Sequence, residues 1–145
     1  SYAKYFSTED KIALCREYGY PVSELELENP ELLHAKAGAA LAKAKYGFED
    51  PEIEDAIYYH TTGKPGISKL TAIIFISDYI EPGRDSAPNL PVVRKLAYES
   101  IDDCVLQILK DTLQYLATTG ADVDPMTQKT YEYYRRCDEE RKFYE

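Results

Sequence analysis

The sequence predicts an all-α protein, and two observations carry that prediction. No segment alternates apolar and polar residues for long enough to make a half-buried strand. Helix start and stop signals, by contrast, recur along the whole length. Neither an internal repeat nor a low-complexity tract interrupts them.

The elements follow in order. Ser7 with Asp10 three positions later resembles a capping box, and Gly19-Tyr20-Pro21 ends the helix that follows. Asn29-Pro30 opens a second helix through Leu33, Ala37, Ala40 and Leu41, which stops at Gly47. Asp50-Pro51 starts a third: the aspartate caps, and a proline at the first helical position lacks only an N–H that has no helical partner anyway. That helix should end near His60-Thr61-Thr62-Gly63. Ser68 caps a strongly apolar fourth helix through Leu70, Ile73, Ile74, Phe75 and Ile76, halted before Pro82-Gly83. Three of the eight prolines fall between positions 81 and 91, which predicts irregular chain there. A long helical stretch then runs from Val92 to about Leu116, and Asp124-Pro125 caps a last helix rich in Tyr, Arg and Glu. The charged run over 135–145 reads as a solvated helix face or an oligomer contact.

Composition bounds the function. At 145 residues the chain has the length of one domain with one core. A formal charge of −9 argues against a nucleic-acid or anionic-membrane surface, both of which need a basic face. No apolar run approaches the roughly 20 residues that span a bilayer, and the most apolar stretch, 70–76, is closed by Asp78. The start, Ser1-Tyr2-Ala3-Lys4, has no signal-peptide pattern, so the expected compartment is the cytoplasm. Cys15, Cys104 and Cys137 are odd in number and far apart, and read as reduced thiols. The fourteen tyrosines, Tyr58, Tyr59, Tyr131, Tyr133 and Tyr134 among them, read as core and interface filling with the phenol at water.

Chemistry concentrates in three places. His34 follows Leu32-Leu33 at the start of the small-residue helix Ala35-Lys36-Ala37-Gly38-Ala39-Ala40. Small residues let another helix approach closely, which places His34 at a helix–helix crossing. His60, the second of two histidines, runs into Thr61-Thr62-Gly63-Lys64-Pro65-Gly66, where hydroxyls, flexible backbone N–H groups and a lysine suit phosphate oxygens. This is not a Walker loop, since G-x-x-x-x-G-K-[ST] is absent. Asp78 lies in Ile73-Ile74-Phe75-Ile76-Ser77-Asp78-Tyr79-Ile80, a helix expected to be buried, and a buried carboxylate is costly unless paired or bound to a cation. Imidazole and carboxylate together are ligands of transition-metal hydrolases. Each piece also has an ordinary reading: a core or surface histidine, an aspartate paired with Arg84, a simple Gly-Lys-Pro-Gly turn.

The strings Leu32-Leu33-His34, Tyr59-His60-Thr61-Thr62-Gly63-Lys64-Pro65-Gly66 and Asp78-Tyr79-Ile80-Glu81-Pro82-Gly83-Arg84-Asp85 resemble, in order and spacing, the YqeK family of HD-domain phosphohydrolases. The resemblance extends to about Gly120. It implies an all-helical HD-like bundle over 1–145, with a core over 1–120 and a C-terminal Tyr-rich helix over 124–145. It implies two metal ions, iron or else manganese, and symmetrical hydrolysis of diadenosine tetraphosphate to two ADP by a homodimer. His34, His60 and Asp78 match metal ligands of that family; Thr61, Thr62, Gly63, Lys64 and Arg84 fall on its strings as substrate contacts, and Lys4 joins Lys64 and Arg84 in neutralising phosphate. The family also carries an earlier histidine and a His-Asp pair, expected directly before Tyr2-Ala3-Lys4, so three of six ligands lie in these 145 residues. Either the chain is a portion of a longer parent that holds the activity, or it is a damaged relative. The rival readings are a non-catalytic helical module that binds a nucleotide or a partner, and a helical dimerisation domain without ligand.

Overall fold

Among the described residues, six of the eight α-helices begin on a serine or aspartate whose side-chain oxygen accepts a backbone N–H of the first turn: Ser7, Ser23, Asp50, Ser68, Ser100 and Asp124. The computed structural model describes residues 6–81 and 87–144, and among these residues there is no strand. The helices are α1 (Thr8–Glu17), α2 (Glu24–Glu28), α3 (His34–Tyr46), α4 (Pro51–Tyr58), α5 (Lys69–Ile80), α6 (Leu90–Glu99), α7 (Ile101–Thr119) and α8 (Pro125–Phe143), with a 3-10 turn at Pro30–Leu33. No described helix is long and apolar enough to cross a membrane.

The chain divides into two compact units, Ser1–Thr61 and Thr62–Glu145. In the first, α3 packs against α1 and α4 around Cys15, Leu33 and Ala37, with Ile12, Tyr20, Val22 and Leu41 at the margin. Alanine supplies much of the buried surface of α3, at positions 35, 37, 39 and 40, so neighbouring helices come close to its backbone. The short α2 is held by a full capping box, Ser23 with Glu26. Glu26 is also the buried partner of Lys36, whose Nζ lies 2.7 Å from Oε1 and donates equally closely to the Pro21 carbonyl. In the second unit α7 is central, and α5, α6 and α8 pack on it. Val105, Ile108, Leu109 and Cys104 of α7 meet Phe75, Ile76, Val93 and Tyr134.

Two expectations need correction. The helical stretch predicted from Val92 to about Leu116 is two helices: Ser100 adopts an extended backbone (φ −157°, ψ 116°) and caps α7 by accepting from Asp103 N–H. A serine inside apolar periodicity reads as a tolerated polar residue, yet its hydroxyl can replace a helical carbonyl and start a new axis. The chain after Asn29-Pro30 makes a 3-10 turn first, so the α-helix proper begins at His34. Just before that turn, α2 lies in a stretch where no helix was expected, although its Ser-x-x-Glu cap stands in the sequence. The cysteines are free thiols, Cys15 and Cys104 buried and Cys137 exposed; the run over 135–144 is largely solvated.

Candidate functional site

The first unit builds a histidine pair by antiparallel packing of α3 on α4. Lys43 of α3 meets Glu54 of α4, with Nζ 2.6 Å from Oε2. One turn back along α3, a β-carbon at Gly38 would sit 3.8 Å from Cγ2 of Ile57. One turn further back, His34 faces His60, their ring centres 5.9 Å apart and the planes inclined by 71°. Numbers fall along α3 as they rise along α4, so the helices run in opposite directions and bring together histidines 26 residues apart in sequence. The expectation that His34 stands at a helix–helix crossing is met, and small residues on α3 are the reason.

The orientation of His60 is set from behind. Its Nδ1 lies 2.6 Å from the Ile57 carbonyl oxygen. A carbonyl can only accept, so Nδ1 carries the proton and the Nε2 lone pair remains for another partner. A backbone carbonyl fixing the tautomer in this way is the usual support of a metal-binding imidazole. At bond lengths of about 2.0–2.1 Å two imidazoles on a tetrahedral ion have ring centres about 5 Å apart, so at 5.9 Å the rings are close but would have to approach slightly to share one ion. Among the described residues no group of three or more His, Cys, Asp and Glu gathers as a ready-made metal cluster. As a metal site the pair would need further ligands beyond these two rings.

Residues close to the pair in sequence form a polar and aromatic cluster. Tyr58 and Tyr59, just before His60, make edge-on contacts with each other at 4.6 Å, and Tyr20 packs on Tyr58 at 5.0 Å. Lys36, two residues after His34, lies 5.6 Å from the centre of the Tyr58 ring. Burial pushes the Tyr58 hydroxyl pKa up, and burial with the Glu54 carboxylate beside it does the same, more strongly, for Tyr20. These phenols stay protonated and serve packing.

The second unit holds Asp78, Thr62, Gly63 and Lys64. Asp78 is not buried in an apolar helix: it lies on an exposed side of α5, one turn beyond Ile74, which is 39% exposed. The apolar run of α5 serves two faces, with Ala72, Phe75 and Ile76 in the core and Leu70, Ile73 and Ile74 outward, and sequence alone could not separate them. The desolvation argument for Asp78 therefore falls, although a carboxylate at the surface can still reach a cation.

In the loop after His60, Thr61 is exposed, and Thr62 Oγ1 donates to the Gly63 carbonyl at 2.9 Å. Gly63 is buried with φ +67°, and a β-carbon there would fall 2.8 Å from Cγ2 of Thr130. Lys64, half-buried, follows directly. Lys4 and Arg84 lie outside the described residues. Thr130 has no sequence signal of its own: a threonine in a charged helix reads as surface, yet it is fully buried.

No family model matches the chain. It is 38% identical over 132 residues to the symmetrical bis(5′-nucleosyl)-tetraphosphatase of Bacillus subtilis, an alignment covering 91% of this chain and 70% of that one. The corresponding protein of Halalkalibacterium halodurans is 35% identical, over 90% of this chain and 68% of its own length. Among solved structures, a predicted HD superfamily hydrolase involved in NAD metabolism from Clostridium acetobutylicum superposes with a TM-score of 0.85 at 34% identity, covering 92% of this chain and 70% of that one.

Proposed function

The chain belongs to the family of symmetrical bis(5′-nucleosyl)-tetraphosphatases, with an HD-hydrolase fold, and on that premise we propose that it hydrolyses a dinucleoside tetraphosphate, diadenosine tetraphosphate first, to two nucleoside diphosphates. The observation that carries this reading is the histidine pair: two rings 5.9 Å apart, one with its Nδ1 committed to the Ile57 carbonyl.

His34 and His60 would hold a divalent metal, iron or manganese, with Asp78 as a further ligand. Such an ion, or two of them, supplies Lewis acidity at a phosphoryl oxygen and lowers the pKa of an attacking water. The remaining work falls to this chain's own groups. His60 offers Nε2 in one tautomer and one orientation. Lys64 meets phosphate charge, with Lys4 and Arg84 assigned the same task, and Thr61, Thr62 and the Gly63 backbone offer donors to phosphoryl oxygens. This local positive field is needed because a chain of net charge −9 repels a polyanion at long range. Water adds to one of the two central phosphorus atoms as the bridge between them breaks, and a nucleoside diphosphate leaves. We further propose that the protein works in the cytoplasm, where its three free thiols stay reduced, and as a homodimer.

The test is incubation of the protein, and of any longer parent chain, with diadenosine tetraphosphate and Fe²⁺ or Mn²⁺. ADP as the sole nucleotide product is expected. ATP plus AMP, or no hydrolysis with any divalent metal, overturns the reading. For the site itself, Asp78→Asn is expected to lose most bound metal with unchanged helical circular dichroism; full metal stoichiometry would remove Asp78 from the ligand set.

A further inference from the structure

The segment that joins His60 to α5 rests on one face of α8. Gly63 lies against Thr130, Gly66 lies beside Tyr133, and Ile67 packs against the core cluster that holds Tyr134. Positions 130, 133 and 134 stand at the i, i+3 and i+4 spacing of one helix face. Both glycines have left-handed backbone, φ +67° and +70°, so the segment's path is tightly specified where it touches α8.

The closest of these contacts is a methyl group. Thr130 is 0% exposed, and its Oγ1 donates to the Met126 carbonyl at 2.7 Å. That bond holds the hydroxyl in one rotamer and leaves Cγ2 toward Gly63, where a β-carbon would come within 2.8 Å of it. Gly63 thus lies close against a side chain whose rotamer that bond holds. The hydroxyl is occupied within its own helix, so the methyl makes the contact with the segment.

We propose that α8 is the rigid backing of the phosphate-holding segment, and that Thr130 is a positioning residue: its methyl group sets the path of residues 62–64, and through it the placement of Lys64 toward substrate phosphate. The proposal rests on the reading of this segment as a phosphate contact. Its consequence is that the C-terminal helix, which carries no group of the reaction, sets nucleotide affinity.

Two conservative substitutions separate the methyl from the hydroxyl. Thr130→Val keeps Cγ2 and removes the oxygen; Thr130→Ser keeps the oxygen and removes the methyl. Binding of ADP and of diadenosine tetraphosphate is measured by calorimetry on the whole protein in chelator, well below the melting temperature of each variant, beside Lys64→Ala as reference. The expected result is a dissociation constant about fivefold to tenfold weaker for Thr130→Ser, unchanged within twofold for Thr130→Val, and weaker for Lys64→Ala. In active protein the serine variant raises KM and leaves kcat within twofold. Equal weakening in the valine and serine variants overturns the methyl role, and unchanged affinity in Thr130→Ser with a weakened Lys64→Ala overturns the backing role alone. Unchanged affinity in Lys64→Ala overturns the phosphate reading of the segment, and the proposal with it.

Discussion

Glu54 lies at the end of the α3–α4 contact remote from the histidines, half-buried beside Lys43. The hydrogen bond from Lys43 holds its carboxyl below the usual value of 4.5. A carboxylate whose folded pKa is depressed contributes stability that is complete above the unfolded pKa and is lost as pH falls through the folded one. Glu54→Gln is therefore expected to destabilise the protein by about 0.5–1 kcal/mol at pH 7. The deficit should shrink below the usual carboxylate pKa and close as the pH falls through the depressed folded one. Denaturant unfolding of both proteins across that range checks this, and a deficit that stays constant to pH 3 contradicts it. At this scale the sequence was legible for chemistry and poor for environment. The family resemblance singled out His34 and His60 as ligand candidates, whereas the exposure of Asp78 and the burial of Thr130 both ran against what their neighbours in sequence implied.

At the scale of the element, α3 combines a job with a weakness. Its alanines admit α1 and α4 closely, and Gly38 sits in mid-helix, where glycine costs up to about 1 kcal/mol relative to alanine. Gly38 is not in the left-handed region, and a β-carbon there meets Ile57 at an ordinary 3.8 Å. Gly38→Ala is therefore expected to raise stability by about 0.5–1 kcal/mol and leave the histidine pair in place. Gly38→Leu should instead lower it, because the longer chain must displace Ile57, whose carbonyl orients His60. Thermal melts of the two variants decide the matter, and an alanine variant less stable than wild type sinks the argument. Helix starts were well foretold by Ser7, Asp50, Ser68 and Asp124, because a cap is a local bond between a side chain and a backbone group two or three residues on. The break at Ser100 and the 3-10 turn before His34 were not, since packing chose among locally similar paths.

For the whole molecule, net charge is the dominant long-range term. Twenty-six acidic against seventeen basic residues leave the folded chain repelling itself. Raising ionic strength from 0.01 M to 0.15 M shortens the screening length from about 30 Å to about 8 Å. The melting temperature at pH 7 should consequently rise by a few degrees with sodium chloride over that range. A melting temperature that falls would mean that specific ion pairs, such as Lys36 with Glu26 and Arg141 with Asp103, outweigh the general repulsion.

All-helical class, most helix starts, the free thiols and the residues that carry the family match were readable from the chain alone, because each depends on a residue and neighbours a few positions away. Distances between remote positions were not: 26 residues of separation say nothing of 5.9 Å between two rings. That proximity and the methyl behind Gly63 arise where two helices, or a helix and a loop, exclude water from a shared surface. Such a surface is a property of pairs of elements, and only the folded chain decides which pairs meet.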